Sequence, residues 1–200
     1  MQKSKYKILY ELLGKRSVIS ISDLNAHNIP REYLSRLYKQ GKLEKVGRGV
    51  YSFPNVNKTE NYAYAHVSRL VPKGVVCLIS ALRFNNFTTQ LPWQIWVAID
   101  EKARRPNVDN RNIKYIRYSG KAFTEGVEEH IIEGVNVRVY SPAKTVADCF
   151  KFRNKIGLDV ALEALKEGRR ARKFTADELT KYARIDRVLN VIKPYMEAVF

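Results

Sequence analysis

The sequence predicts an α+β protein built from two modules. Three short helical segments precede two strand-like segments near the N-terminus, and strands and helices alternate irregularly over the rest of the chain. The 200 residues are 45% hydrophobic, which is typical of chains that bury a core. A polar stretch with a proline, residues 54–58, lacks periodicity and is the expected joint. We therefore expect domains at residues 1–57 and 58–200.

The first module contains three helical segments, each with its own boundary signals. Gly14 is the expected stop of the first helix, and Ser20 or Ser22 the expected cap of a short second helix. Pro30 suits the first position of the third helix, because its missing N–H is not needed there, and Gly41 is expected to end that helix. Apolar residues at helical spacing mark the first helix at Tyr6, Leu9, Tyr10 and Leu13, and the third at Tyr33, Leu34, Leu37 and Tyr38.

Two short strands follow the third helix. Residues 43–46 and 50–53 alternate like strands on either side of Gly47-Arg48-Gly49. Two glycines flanking one residue are what a tight hairpin with positive φ angles requires. Three short helices followed by a hairpin is the order of a winged helix-turn-helix, which we expect over residues 1–57.

The second module is predicted to be a mixed α/β domain that ends in a helical, bundle-like region. A helix is expected from Thr59 to Leu70, and residues 75–79 are either a buried strand or the start of a buried helix. Further strands are expected at 94–99, 113–118, 128–133 and 135–140, and further helices at 142–152, 158–167, 175–182 and from 186 onwards, with Pro194 as a kink or an early end.

The charge of the chain points to a polyanionic partner. Lys and Arg number 36 against 20 Asp and Glu, which gives a net charge of +16. Residues 1–57 hold eleven basic and four acidic side chains, a difference of +7, so charge density there is about twice that of the rest. A basic helix-turn-helix module indicates binding to double-stranded DNA.

The third helix is the expected reader of the bases. Its apolar face should turn inward, and the first half of such a helix usually meets the base edges, where arginine can bind guanine with two hydrogen bonds. Lys45 and Arg48 lie in the hairpin, where a wing would meet the DNA backbone or a minor groove. The side chains left on the outer face of the third helix are Arg31, Glu32, Ser35, Arg36 and Lys39.

Several other classes of protein are not expected. The longest apolar run, residues 75–79, is far too short for a membrane span, and the first residues lack the apolar core of a secretion signal. Cys77 and Cys149 are isolated, which argues against a zinc site or a disulfide framework. We therefore expect a cytoplasmic protein with no cofactor, no bound metal and no catalytic residues.

Two further patterns in the sequence each allow a functional and a structural interpretation. Asp100-Glu101-Lys102 resembles half of a metal-dependent nuclease site, but no Asp or Glu lies between Glu60 and Asp100 to supply a second ligand. A solvated strand end is therefore the preferred interpretation. A basic run between two predicted helices is either a solvated loop or a surface for phosphates or an acidic partner, and it contains Arg169, Arg170, Arg172 and Lys173.

Several stretches of the chain form a distinctive set. The most specific are residues 141–150, SPAKTVADCF, and residues 157–164, GLDVALEA. Ser80-Ala81-Leu82 and Leu91-Pro92 before the strand at Trp96 belong to the same set. In the first module its residues are Ile29-Pro30-Arg31, Leu34, Leu37, Gly41-Lys42-Leu43 and Val46-Gly47-Arg48-Gly49-Val50-Tyr51. On these residues the chain resembles the AbiEi family, the antitoxin half of bacterial AbiE abortive-infection operons.

The resemblance implies a function that the residues alone do not reach. It implies a two-domain antitoxin of a type IV system for phage defence. The N-terminal winged helix would repress the protein's own operon by binding inverted repeats in the promoter. The partner would be a nucleotidyltransferase-like toxin, whose effect the antitoxin opposes without forming a stable complex. Direct contact with the toxin, or a metal-dependent nuclease using Asp100 and Lys102, are the alternatives. Because base-contacting residues differ among members, the reader residues named above come from helix geometry.

Overall fold

The structure, a computed structural model, describes residues 4–54, 60–88, 90, 92–106 and 112–200. The expected joint at 54–58, apart from Pro54, and Leu91 of the family motif lie outside the described residues. The described residues form two compact units. The first contains residues up to Lys73 together with Pro106 and His130–Val137, and the second contains the others. Both units mix helices and strands, which confirms the α+β class.

The first unit holds three helices and a small sheet before a fourth helix. The strands form an antiparallel sheet in the order β1-β3-β2, in which Ile19 of β1 and Lys45 of β2 both pair with Tyr51 of β3. In chain order the elements are α1 (Lys5–Lys15), β1 (Val18–Ser20), α2 (Ile21–Asn25), α3 (Glu32–Lys39), β2 (Glu44–Gly47), β3 (Val50–Ser52) and α4 (Glu60–Leu70).

Local sequence signals explain most of these boundaries, but the expectations for Gly14, Pro30 and Tyr38 were wrong. Pro30, the expected first residue of the third helix, precedes Arg31, the cap of a helix that begins at Glu32. Ser20 caps α2 in a capping box with Asp23, as expected, whereas Gly14 lies inside α1 and does not end it. The strand β1 was not predicted, because three residues are too few to show a period. Tyr38, expected on the apolar face of α3, is 47% exposed. The core is built from Leu9, Leu13, Ile19, Leu24, Ile29, Leu34, Leu37, Leu43 and Tyr51.

The second unit contains the larger set of elements. The apolar run at 75–79, which the sequence left open, is a short strand followed by a helix. Its elements, with the hairpin that includes residues 130–137, are β4 (Val75–Val76), α5 (Leu78–Phe84), β5 (Ile95–Asp100), β6 (Ile113–Tyr118), α6 (Lys121–Thr124), β7 (Val127–Ile132), β8 (Val135–Tyr140), α7 (Pro142–Lys151), α8 (Arg153–Ile156), α9 (Leu158–Arg170), α10 (Ala176–Ile185) and α11 (Leu189–Val199).

A mixed five-stranded sheet has the order β6-β5-β4-β8-β7. β5 and β6 run parallel over their whole length, from the pair Ile95–Ile113 to the pair Asp100–Tyr118. β4 pairs antiparallel to β5 and parallel to β8. The carboxyl ends of β5 and β6 therefore lie side by side, which is the edge of a parallel sheet where loops usually build ligand sites.

Charged side chains are buried in the core of the second unit. We call Lys144, Asp148, Asp186 and Lys151 the Lys144 cluster. The Lys144 ammonium pairs with Asp148 and lies 3.2 Å from Asp186 Oδ2, and none of these three side chains is exposed. Lys151, which is 31% exposed, lies 3.4 Å from Asp186 Oδ1. Burial acts to lower the pKa of Lys144, but its two aspartates outweigh burial and raise it.

Helix α9 extends beyond its predicted end. The sequence placed Arg169–Lys173 in a loop between helices, but Arg169 and Arg170 form the last turn of α9. The predicted capping box is present at the next helix, where the Thr175 hydroxyl accepts from the Glu178 backbone N–H at 3.2 Å. No helix of the described residues combines the length and the apolar character that a membrane crossing requires.

Candidate nucleic-acid interface

Helix α3 presents a charged outer face. Its buried residues are Leu34 and Leu37, one helical turn apart, so the opposite face is turned to solvent. All five candidate reader residues are exposed: Arg31, Glu32, Ser35, Arg36 and Lys39. The structure therefore places them where a groove of duplex DNA could reach them.

Two contacts organise the side chains along α3. Arg31 Nε lies 3.6 Å from Glu32 Oε1, with the side chains 76% and 60% exposed, so this pair is solvated and weak. Arg36 lies 6.0 Å from the ring centre of Tyr33, within the range of a cation–π contact. Both arginine heads remain free to donate to an incoming acceptor.

The tight turn between β2 and β3 carries the second group of candidates. Lys45 on β2 and Arg48 in the turn are exposed. Gly49 has φ +72°, and a Cβ there would lie 3.0 Å from Ile21 Cδ1, so glycine is the residue that fits. The Gly49 carbonyl accepts from the Ile21 backbone N–H at 3.1 Å, which fixes the turn to the start of α2.

Tyr38 and Tyr51 connect α3 to the sheet that carries this turn. Their ring centres are 6.1 Å apart in an edge-to-face arrangement, and Tyr51 pairs with Lys45 across the sheet. The outer face of α3 and the β2–β3 turn therefore belong to one packed assembly. We call Arg31, Glu32, Ser35, Arg36, Lys39, Lys45 and Arg48 the reader surface.

Helix α4 braces this assembly, which the sequence analysis did not foresee. His66 Nε2 is 3.1 Å from the Val46 carbonyl oxygen, and Leu70 packs directly against Gly47. The hairpin that carries Lys45 and Arg48 is thus held from α4 as well as from α2. No short-range pattern reveals this support, because its partners are about twenty residues apart.

A buried carboxylate ties three further elements together. Asp23 Oδ1 lies 2.6 Å from Arg16 Nη1 and 2.8 Å from Arg69 Nη2, while Oδ2 accepts from the Ser20 N–H at 2.8 Å. Asp23 is 7% exposed, Arg69 19% and Arg16 27%. Burial lowers the pKa of Arg69, and the nearby Asp23 carboxylate, which acts to raise that pKa, does not outweigh burial. Arg16 and Arg69 therefore stabilise the fold of the first unit. The exposed residues of α3 and of the β2–β3 hairpin remain the candidates for contact with DNA.

The part of the chain that holds the reader surface is similar to a known protein family. Residues 7–54 match the family model AbiEi_4, described as a transcriptional regulator and AbiEi antitoxin. This N-terminal segment belongs to the AbiEi antitoxin family. No curated protein matches the chain. The AbiEi match runs from α1 to the residues just after β3 and includes every residue of the reader surface.

The candidate basic surface near the C-terminus lies outside the AbiEi match. Arg170 Nη2 pairs with Glu167 at 2.5 Å, and Arg169 lies 5.0 Å from the ring centre of Phe200. Arg172 and Lys173 are exposed in the turn that follows α9. Two of the four cations therefore have partners within the unit, as Arg31 and Arg36 have on α3.

The suspected half of a nuclease site is part of a turn. The Asp100 carboxylate accepts from the backbone N–H of Lys102 at 2.8 Å in an exposed position. Asp186 lines the same cavity, but it is held by Lys144 and Lys151. Among the described residues, no three His, Cys, Asp or Glu side chains come together in a way that could hold a metal ion.

Proposed function

We propose that this protein is a sequence-specific DNA-binding repressor of its own operon and an antitoxin. Its N-terminal unit would act as a winged helix-turn-helix, with α3 in the major groove and the β2–β3 turn as the wing. The family description of residues 7–54 as a transcriptional regulator supports the DNA-binding role. A promoter with inverted repeats is the proposed target.

The observation that carries this proposal is the exposed, cationic face of α3 beside a rigid hairpin. Arg31 and Arg36 can each donate two hydrogen bonds to guanine, and Ser35 can adapt to several base edges. Lys45 and Arg48 would neutralise phosphates, and Lys39 would contact either a base or a phosphate. A contact with about five phosphates predicts a slope of roughly −4 to −5 in a plot of log K against log salt concentration.

Fluorescence anisotropy with the native promoter and a scrambled duplex tests this division of roles. Arg48→Ala should weaken binding to both duplexes about equally and reduce the salt slope by about one. Arg31→Ala and Arg36→Ala should weaken promoter binding by about tenfold or more, with a smaller loss on the scrambled duplex. Equal losses on both duplexes for the two α3 variants would contradict the base-reading role.

A matched control separates the reader surface from general charge. Arg184 is an exposed arginine on α10 in the second unit, so Arg184→Ala removes the same charge elsewhere. We expect this variant to bind the promoter as the unaltered protein does. A loss in Arg184→Ala as large as that in Arg36→Ala would mean that net charge governs binding.

We propose the antitoxin role from the family description, with a nucleotidyltransferase-like toxin as partner. A growth assay with the neighbouring toxin gene induced tests it directly, using the full chain in every arm. Arg36→Ala should still restore growth when expressed from an independent promoter, because the reader surface would serve repression and not antitoxicity. Failure of the unaltered protein to restore growth would refute the antitoxin role and leave the DNA-binding proposal standing.

A further inference from the structure

A polar cleft lies at the carboxyl ends of the parallel strands β5 and β6, and the DNA-binding proposal does not use it. Its volume is about 830 Å³, within the usual size range of small-molecule sites. All of its walls belong to the second unit. They come from the turn after β5, the segment from β6 into α6, Lys151 at the end of α7, and the end of α10. We call it the β5–β6 cleft.

Three cations on the rim of the β5–β6 cleft are available to a ligand. Lys102, Lys121 and Arg187 line the cleft and are exposed. Within the described part of the chain, none of these three side chains makes a hydrogen bond or an ion pair. The three side chains come from three separate segments of the chain and line one concavity.

Each of the three cations lies on a segment that hydrogen bonds or ion pairs hold in place. Arg117 Nη1 donates to the Glu101 carbonyl at 2.5 Å and the Ala103 carbonyl at 3.0 Å, which fixes the turn around Lys102. The hydroxyl of Tyr140, a fully buried residue, donates to the Phe123 carbonyl at 2.9 Å and so anchors the helix that begins at Lys121. Such support keeps a binding geometry ready before the ligand arrives.

The Lys144 cluster holds the third turn. Asp186 is fixed by Lys144 and Lys151, and the next residue is Arg187. The N–H of Val188 donates to the Ala183 carbonyl at 2.8 Å, which closes the end of α10 beneath the arginine. Because Asp186 already faces two ammonium groups, it does not cancel the charge of Arg187. The cleft therefore offers three unpaired cations against the carboxylates of Asp100 and Glu101.

The chemistry of the lining selects a class of ligand. Several cations in one cavity favour adjacent phosphate groups, which accept charge-assisted hydrogen bonds. The volume is far larger than a phosphate ion needs, and the exposed Glu101 carboxylate and the Ser119 hydroxyl can bind sugar hydroxyls. We propose that the β5–β6 cleft binds a nucleoside polyphosphate, with Lys102, Lys121 and Arg187 on its phosphates and Glu101 toward its ribose.

Arg187 offers a test variant that does not depend on destabilising the fold. Its φ is +58°, a backbone conformation that glycine adopts without strain, so Arg187→Gly removes the cation and should leave the fold at least as stable. Lys166, an exposed cation on α9 that does not line the cleft, gives the control Lys166→Ala.

Isothermal titration calorimetry of the full chain with ATP, pyrophosphate and adenosine tests the proposal. We expect ATP to bind most tightly, pyrophosphate more weakly and adenosine not measurably. Arg187→Gly should weaken ATP binding by about tenfold, and Lys166→Ala by less than about twofold. Lys102→Ala, an exposed substitution, should weaken ATP and pyrophosphate by similar factors, because both lose the same phosphate contact.

Four results would overturn the proposal. The absence of binding heat with ATP at about 1 mM would mean that the cleft has negligible affinity for the nucleotide. Adenosine binding as tightly as ATP would mean that the phosphates do not contribute. Equal losses in Arg187→Gly and Lys166→Ala would indicate non-specific attraction to a basic chain. Loss of promoter affinity in Arg187→Gly would assign the cleft to nucleic acid and not to a free nucleotide, without touching the tests of the reader surface.

Discussion

Replacement of Asp23 by alanine is the most direct test of how the reader surface is supported. Asp23 is the meeting point of α1, β1, α2 and α4, because its carboxylate contacts Arg16, Ser20 and Arg69. Alanine removes both ion pairs and the side-chain half of the capping box at once. The reader residues themselves are untouched, so any effect on DNA binding must come through the stability of the first unit.

The size of the effect follows from the contacts that are lost. Removing one member of the capping box at α2 costs about 1 kcal/mol. Two guanidinium groups, 27% and 19% exposed, then lose their carboxylate partner. A fully buried pair broken in this way costs about 3–5 kcal/mol, and partial exposure reduces that to roughly 2 kcal/mol. The unfolding free energy of the first unit should therefore fall by about 3 kcal/mol.

Hydrogen exchange measured by mass spectrometry reads this change in the full chain. Peptides from α1, α2 and α3 should exchange roughly 150-fold faster where exchange requires opening of the whole unit. Both tryptophans, Trp93 and Trp96, lie in the second unit, so the thermal transition followed by tryptophan fluorescence should stay in place. The unchanged thermal transition of the second unit thus serves as an internal reference for the destabilised first unit.

A control and a coupling measurement complete the design. Asp177→Ala removes an exposed aspartate from the first turn of α10 and should change exchange in α1–α3 by nothing measurable. In a double-mutant cycle with Arg69→Met, the two substitutions should be non-additive by about 1–2 kcal/mol. Additive effects, or an acceleration below about fivefold in Asp23→Ala, would refute the idea that Asp23 is the centre of the unit.

Three further predictions concern the second unit, each followed by tryptophan fluorescence. Gly126→Ala should cost about 2–3 kcal/mol in urea unfolding, because φ is +73° and the new Cβ would lie 2.8 Å from Lys144 Cβ; an unchanged midpoint would contradict this. Thr175→Ala should cost about 1 kcal/mol by removing the cap of α10, and Thr175→Ser should restore most of it. Burial raises the pKa of Cys77 and Tyr118, and that of Lys144 is raised despite burial, so the folded state holds these protons longer than the unfolded state. The unfolding free energy should therefore fall as pH rises above about 9, by up to about 1.4 kcal/mol per group and pH unit, and a flat profile to pH 11 would contradict it.

Much of the fold could be predicted because its signals are local. The strand at Ile113–Tyr118 and the helix that starts at Pro142 were predicted at their observed positions, from periodicity and from proline at a first turn. The capping box at Thr175 was read correctly from four residues. Signals of this kind depend on residues that are close in the chain, so the amino-acid sequence alone contains them.

The wrong expectations share a physical cause. Tyr38 lies at the helical spacing of a core residue, yet half of it is exposed, because only packing against β3 decides how much of a boundary side chain is covered. Arg169 and Arg170 continue α9 beyond the predicted loop, since helix length depends on what the helix packs against as well as on its own residues. Local patterns determine whether a segment forms a helix or a strand. They do not determine the residue at which the element ends or how much of a boundary side chain is buried.

The exposure of Arg31, Glu32, Ser35, Arg36 and Lys39 was predicted from the sequence, because an amphipathic helix fixes which residues face outward once its apolar stripe is known. Their contacts with DNA stay a prediction. The contacts that hold the reader surface in place were not predicted. Asp23 pairs with Arg69, 46 positions away, and Lys144 pairs with Asp186, 42 positions away. Three cations from three separate segments line the β5–β6 cleft. Such meetings depend on how elements pack in three dimensions, and no spacing along the chain encodes them. Composition and periodicity determined a basic α+β protein with an exposed charged helix; only the tertiary structure decided which charges are buried as supports and which remain free to bind.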